Sequence, residues 1–248
     1  MGRKSLGQVE LDGRESDFLR TARKLFLARG VDGLTMEQLA RETGYSKGIV
    51  YHHFSSREDV LAALCVQSDL FRLGLLEQAA MFKGRSRERA LAVAKAEYLL
   101  YRLHPEYWLT EQLTSMLSLT AKVSAERKAA LDSASLRCAD VALGVIRDAI
   151  SCGDLDLPAG MNPEKLLLAL LSQNIGVFLM NRHSTLAKSW EVNLPVTQEQ
   201  LLHYTCDGFG WKPFTKNWDY AATVRRIWRE VFPAQAAQIG ALEPAKSS

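Results

Sequence analysis

The stretch Thr35-Met36-Glu37-Gln38-Leu39-Ala40-Arg41-Glu42-Thr43-Gly44-Tyr45-Ser46-Lys47-Gly48-Ile49-Val50-Tyr51-His52-His53-Phe54 decides the fold of this chain. Thr35 with Gln38 three residues later is a capping-box signature, in which two side chains answer orphan backbone donors at a helix start. Leu39 and Ala40 turn the short helix that follows inward. Gly44 permits a turn, and Ser46 opens a second short helix that ends near Phe54. Leu39, Ala40, Val50 and Phe54 are expected to lock the two helices together. Such a pair, joined by a short glycine-containing turn, is the geometry that wedges a second helix into a DNA major groove while the first braces it.

Helical spacing continues on both sides. Upstream, Phe18, Ala22, Leu25 and Phe26 share one helix face. Gly30 ends that helix, because glycine accepts the left-handed geometry of a C-terminal cap. Downstream, Ser55 and Glu58 read as another capping box, ahead of an apolar helix through Val60, Leu61, Leu64 and Phe71. Further helices are expected near residues 86–102, 105–119, 122–151, 163–182, 197–208 and 219–231. Pro105 and Pro163 suit a first helical turn, Asn162 suits an N-cap, and Thr197 with Gln200 makes a third box. No long alternating β-branched run occurs, so essentially no sheet is expected.

The expected fold class is therefore all-α. A flexible arm, 1–13, precedes an N-terminal three-helix DNA-binding domain with a helix-turn-helix, 14–62. A larger C-terminal helical domain, 63–233, is followed by a frayed tail, 234–248.

Composition sets bounds but does not decide. The chain has 248 residues, 47% hydrophobic and 24% charged, as in a soluble globular protein. Net charge is only +3, and the first 60 residues set ten Lys/Arg against nine Asp/Glu. Bulk attraction to phosphate is therefore weak evidence, and DNA binding has to rest on local arrangement. Cys65, Cys138, Cys152 and Cys206 show no CxxC spacing and read as reduced thiols of a cytoplasmic protein, with a redox switch as the alternative. The polar N-terminus does not read as a signal peptide, and Leu6 stands where myristoylation would want Ser or Thr. The apolar run Leu166–Met180, broken by Ser172, Gln173 and Asn174, is too short for a membrane span of ~20 residues.

Between about Phe18 and Leu64 the chain resembles the TetR family of bacterial transcriptional regulators, of the TetR/AcrR type. The resemblance is carried by the Ala22–Gly30 helix end, the Leu34-Thr35 start and Gly44-Tyr45-Ser46-Lys47-Gly48. It continues through Tyr51-His52-His53-Phe54 and Ser55-Ser56-Arg57-Glu58. A weaker echo lies at Asp207-Gly208-Phe209-Gly210-Trp211-Lys212-Pro213. The resemblance implies roles. Thr35 caps the second helix and gives its hydroxyl to a phosphate, assisted by the free amides of the helix end. Tyr45, Ser46, Lys47, Gly48 and Ile49 mark the start of the recognition helix. Lys47 has the reach for guanine acceptors, Gly48 allows close backbone approach, and Ile49 suits a thymine methyl. Tyr51 and His53 put ring tips on the sugar-phosphate backbone, Arg57 grips phosphate, and His52 meets a base or a phosphate. Only Ser46 to Ile49, with His52, can specify sequence. The competing readings are a core aromatic for Tyr51, a solvated charge for Arg57, and a metal pair for His52 and His53. Adjacent helical residues point about 100° apart, which disfavours the last.

In that architecture the C-terminal domain dimerises and holds an effector. The dimer face is expected on Glu164–Arg182 and Thr197–Phe209, through Leu166, Ala169, Leu170, Gln173, Gly176, Val177, Leu201 and Tyr204. The alternative makes the 166–180 helix the domain's own core. An effector pocket is expected from Tyr98, Tyr101, Trp108, Gln112, Met116, Asn174 and Phe178, apolar with a few polar anchors. Ordinary core packing competes at each of these positions. The implied partners are double-stranded operator DNA, a second copy of the chain and a small hydrophobic or aromatic effector. No cofactor, metal or membrane is expected. An enzyme is disfavoured, for there is no P-loop, GxGxxG, GxSxG or HExxH. Asp154 and Asp156 lack the pattern of a calcium loop. A DNA-bound adaptor controlled by a protein partner, or an activator, shares every N-terminal feature with a repressor.

Overall fold

The computed structural model describes residues 6–115, 122–183, 185 and 189–241, with side chains described from residue 13 onward except at 181–183, 194 and 195. No strand occurs among the described residues. The helices are α1 (Leu6–Arg29), α2 (Met36–Thr43), α3 (Lys47–His53), α4 (Arg57–Ala80), α5 (Ser86–Leu103) and α6 (Pro105–Ser115). They continue with α7 (Ala125–Ser151), α8 (Pro163–His183), α9 (Leu194–Gly208), α10 (Tyr220–Glu230) and α11 (Pro233–Gln238). The chain forms two compact units, one of residues 1–71 with 105–136, the other of 72–104 with 137–248.

The first unit is built on the apolar face read from the sequence. Phe18, Ala22 and Phe26 of α1 pack with Leu39 of α2, Val50 of α3, Phe54, and Val60, Leu61 and Leu64 of α4. Each large side chain so buried contributes roughly 1.5–3 kcal/mol relative to exposure. Gly30, at φ 70°, ends α1 as expected. That helix begins at Leu6, so residues 6–13 are helical where a loose arm was expected.

This unit is larger than the 14–62 segment, because polar side chains of α1 and α4 reach distant sequence. Arg23 is almost fully buried, donating to Ser68 Oγ at 3.1 Å, Thr110 Oγ1 at 2.9 Å, Gln67 Oε1 at 2.8 Å and the Leu64 carbonyl at 3.2 Å. Its guanidinium lies 4.2 Å from the Tyr107 ring centroid. One buried cation thus ties α1, α4 and α6. The start of α4 is held similarly. Asp59 accepts from the Ser55 amide at 3.1 Å, the Ser124 amide at 3.1 Å and Ser124 Oγ at 2.8 Å. Burial opposes the Asp59 charge, but these bonds and Arg127 outweigh it and hold its pKa below the usual value. The cap is therefore Ser56 with Asp59, whose amide donates to Ser56 Oγ at 3.0 Å, one residue later than the expected Ser55–Glu58 box.

The second unit packs Leu143, Val145, Ile146 and Ala149 of α7 against Leu166 and Leu167 of α8, Cys206 of α9, and Trp211. Arg87 is its polar centre. Its guanidinium, 2% exposed, donates to Asp207 Oδ1 and to the carbonyls of His203, Trp211 and Pro213. A fifth bond reaches Thr215 Oγ1 at 3.0 Å. The phrase Asp207–Pro213 thus folds around this arginine, with Trp211 Nε1 donating to Ser86 Oγ at 3.0 Å. Asp154 pairs with Arg85 and accepts from Ser86 Oγ at 2.8 Å, so it is a structural anion. On α9, Glu199 accepts from Lys95 Nζ at 2.7 Å. Burial works against its charge, yet His203 and Lys95 prevail and its pKa falls to about 2.

One further helix start differs from expectation. Asn193 caps α9, its Oδ1 accepting from Val196 N at 3.4 Å, and Thr197 lies inside that helix. Asn162 caps α8 as expected, accepting from Lys165 N at 2.8 Å. The tail is ordered to α11, where Ala236 is buried beside Phe232. Cys65, Cys138 and Cys206 are buried and Cys152 is exposed, all as free thiols. Burial pushes the Cys65 and Cys206 thiols up to about 12, which keeps both protonated. Among the described residues no helix is long and apolar enough to cross a membrane.

Candidate nucleic-acid interface

The site is the α2–turn–α3 segment with the start of α4. Thr35 is extended, at φ −118° and ψ 156°, and its Oγ1 accepts from Gln38 N at 3.1 Å. The reciprocal half of the expected box is missing, since Gln38 Oε1 is buried with no hydrogen-bond partner. At the turn Gly44 takes φ 75°, a left-handed conformation that side-chain-bearing residues rarely adopt. Ser46 then caps α3, its Oγ accepting from Ile49 N at 3.3 Å. The cap satisfies one orphan donor and fixes where the seven-residue helix begins.

Burial divides α3 cleanly. Val50 is fully buried and locks the helix to the core. Ser46, Lys47, Gly48, Tyr51 and His52 are exposed, Tyr51 by 49%. Tyr45 and Ile49 are half-buried and pack against the core, Tyr45 with its ring centroid 5.1 Å from that of Phe18. Their outer edges alone remain for a partner. A Cβ placed on Gly48 would meet only Ser46 Oγ, at 3.8 Å. Nothing within the chain therefore demands glycine there.

His53 departs from its expected role. Its ring centroid lies 5.2 Å from that of Phe18, and its Nε2 is buried with no hydrogen-bond partner. Burial lowers its pKa, with His52, Arg14 and Arg127 adding to the effect against Glu15. The ring tip expected on the phosphate backbone thus faces inward, because α3 turns this position toward α1. The His52 and His53 ring centroids are 5.9 Å apart and nearly perpendicular. Among the described residues no group of three or more His, Cys, Asp or Glu is placed to hold a metal ion.

The charged groups are paired in the free protein. Arg57 donates to Glu58 Oε1 at 2.9 Å and stands 4.0 Å from Asp32 Oδ1. Lys47 Nζ donates to Glu37 Oε1 at 2.8 Å. The sequence reading missed Glu37 as a partner. Its place in the first turn of α2, across a three-residue turn from Lys47, was the signal that could have found it.

The remaining candidates fall elsewhere. Tyr98, Tyr101, Asn174 and Phe178 belong to the second unit, and Trp108 and Gln112 to the first. Met116 lies outside the described residues. Tyr101 stacks on Phe178 with centroids 4.4 Å apart, and Asn174 Oδ1 accepts from Gln198 Nε2 at 2.5 Å. On the expected dimer face Leu166 is corrected to a core residue, 1% exposed, since its turn of α8 points at α7 and Trp211. Ala169 and Tyr204 are exposed, whereas Leu170, Gln173, Gly176, Val177 and Leu201 are half-buried. Gln173 Oε1 accepts from Thr205 Oγ1 at 2.9 Å, which places α8 beside α9.

Residues 18–64 match the family described as bacterial regulatory proteins, tetR family. Over this helical head the chain is similar to the TetR family. The match covers the helical head described above, from Phe18 of α1 to Leu64 of α4. The HTH-type transcriptional repressor AcnR of Corynebacterium diphtheriae is 36% identical over 59 residues, 24% of this chain and 31% of AcnR. The chain thus spans about a third of the length of the curated relatives it matches. Likeness over the greater length is one of fold. A bacterial regulatory protein in the tetR family from Rhodococcus RHA1 superposes with a TM-score of 0.62 at 17% identity, over 79% of this chain and 97% of that one. SmeT, solved as a triclosan complex, gives a TM-score of 0.55 at 19% identity, over 78% and 90% of the two chains.

Proposed function

We propose that the chain is a dimeric transcriptional regulator, most simply a repressor, that reads a palindromic operator through α3 and leaves it when a small molecule binds. One observation carries the DNA part: Ser46, Lys47, Gly48, Tyr51 and His52 are all exposed on a capped helix whose Val50 is fully buried. Such a helix is held rigidly from behind while its outer face is free for a groove. Gly48 supports this reading. Glycine costs a helix roughly 1 kcal/mol relative to alanine, and no neighbour within the chain accounts for it. Close approach of an external backbone does. Thr35, Tyr51 and Arg57 position the protein on phosphates, while Lys47, the edge of Ile49 and His52 meet base edges.

AcnR is named a repressor, and SmeT was solved with triclosan. In the second unit the buried aromatics Tyr98, Tyr101 and Phe178, with Asn174 as a polar anchor, are the residues we assign to an apolar effector. Exposed Leu168, Ala169 and Tyr204 on α8 and α9 offer a surface for a second copy. A two-fold dimer matches a palindrome with half-sites one helical turn or a multiple apart. An effector acts only by preferring one arrangement of the two heads. Action on operator DNA places the protein in the cytoplasm.

Tyr51→Ala is expected to weaken operator binding by about 1 kcal/mol or more with the fold intact. Lys47→Ala is expected to relax sequence choice at one position of each half-site. Fluorescence anisotropy on promoter duplexes measures both. Full affinity and specificity after both changes would contradict the placement of α3 in the groove.

A further inference from the structure

The Glu37–Lys47 pair is out of place on a surface that meets phosphates. Both side chains are more than half exposed, at 54% and 60%, and a salt bridge so exposed adds little to stability. It joins the first turn of α2 to the first residue of α3, the two helix starts that face a groove. Hydrogen bonding to Lys47 holds the Glu37 carboxyl below its usual pKa, so it is ionised at neutral pH. Its tether restrains a side chain that is otherwise a flexible point charge.

We propose that Glu37 is a specificity-determining residue for DNA, acting as a positioning residue through Lys47. Held by Glu37, the ammonium is restrained from swinging sideways to the nearest phosphate. A phosphate contact must break the pair. A base-edge contact needs only that Lys47 extend into the groove, where guanine N7 and O6 draw it off with specific geometry. Glu37 therefore penalises sequence-independent binding more than operator binding. It raises discrimination while lowering total affinity for DNA. The inference rests on the proposed DNA-binding function.

The test uses the full-length chain with Glu37→Gln, Lys47→Gln and the double variant. Each is titrated against a mixed-sequence duplex and against an operator chosen by selection from random fragments, over a series of salt concentrations. Glu37→Gln is expected to bind mixed-sequence DNA about threefold to tenfold more tightly, with little change on the operator. Its salt dependence on mixed-sequence DNA should steepen by about one further phosphate contact, a slope change near 0.9. In the Lys47→Gln background the same change should alter neither the specificity ratio nor the slope. A Glu37→Gln protein with unchanged ratio and slope would overturn the proposal. So would an effect that persists without Lys47, because Glu37 would then act by plain repulsion. A wild-type chain that binds neither duplex would instead overturn the DNA-binding reading, and this proposal with it.

Discussion

Phe54→Ala is expected to lower the stability of the first unit by about 3–5 kcal/mol, the range for a fully buried phenylalanine cut to alanine. Phe54 is 0% exposed and closes α3, its amide donating to the Val50 carbonyl at 2.9 Å. Its ring meets Phe18 edge-on, with centroids 6.1 Å apart, and the Arg127 guanidinium lies 5.5 Å from it. A whole domain is stable by only about 5–15 kcal/mol. Most of that margin would go, and α3 would lose the support that aims Lys47 and Tyr51. Urea unfolding followed by circular dichroism checks the result. A change below about 1 kcal/mol would mean that the ring does not pin α3 to α1 and α4.

Arg87→Ala should be as damaging in the second unit, by about 3–5 kcal/mol, because it strips a buried charge pair of one partner. Five acceptors converge on this guanidinium: Asp207, Thr215 and the carbonyls of His203, Trp211 and Pro213. Without it the Asp207 carboxylate keeps only the Thr215 amide, the Pro213 carbonyl keeps only the Tyr220 hydroxyl, and the carbonyls of His203 and Trp211 lose the guanidinium. Its guanidinium carbon also lies 5.0 Å from the Tyr220 ring centroid, so α10 is disturbed as well. Arg87→Lys is expected to rescue little, since one ammonium cannot span the same fork of acceptors. Tryptophan fluorescence reports the change, as Trp211 is fully buried beside this network. An Arg87→Ala protein within about 0.5 kcal/mol of the original would show that the network is not what holds α9 to α5.

These two residues mark how far the sequence could be read. Phe54 was placed in the core from spacing alone, since apolar residues recurring at helical intervals identify a buried face. The same logic gave the α1 face, the Gly30 and Gly44 stops and the all-helical class. Arg87 was not foreseen, because its partners lie more than a hundred residues along the chain. Arg23 and Asp59 escaped for the same reason. Their partners Thr110 and Ser124 join the head only in three dimensions, which is why the first unit outgrew 14–62.

Within the site, the exposed row Ser46, Lys47, Gly48, Tyr51 and His52 was legible from motif and register. His53 was not, because a one-residue step on a helix turns a side chain about 100°. That step separates exposed His52 from His53, whose ring lies against Phe18. Capping boxes were overread for a related reason. Short polar clusters such as Ser55-Ser56 and Asn193 to Thr197 offer several caps, and tertiary partners choose among them. Leu166 shows the same limit on α8, where an apolar residue fits a core and a subunit face equally well by pattern.

The central claim is that α3 reads DNA sequence from a groove. The most direct measurement is selection of random duplex fragments by the purified full-length chain, run in parallel with Lys47→Ala, followed by sequencing of what is retained. The account predicts that the original chain enriches an inverted repeat, and that Lys47→Ala loses preference at one symmetric pair of positions while keeping the rest. Retention of fragments with no common sequence, or the same motif at full strength from both proteins, would contradict it.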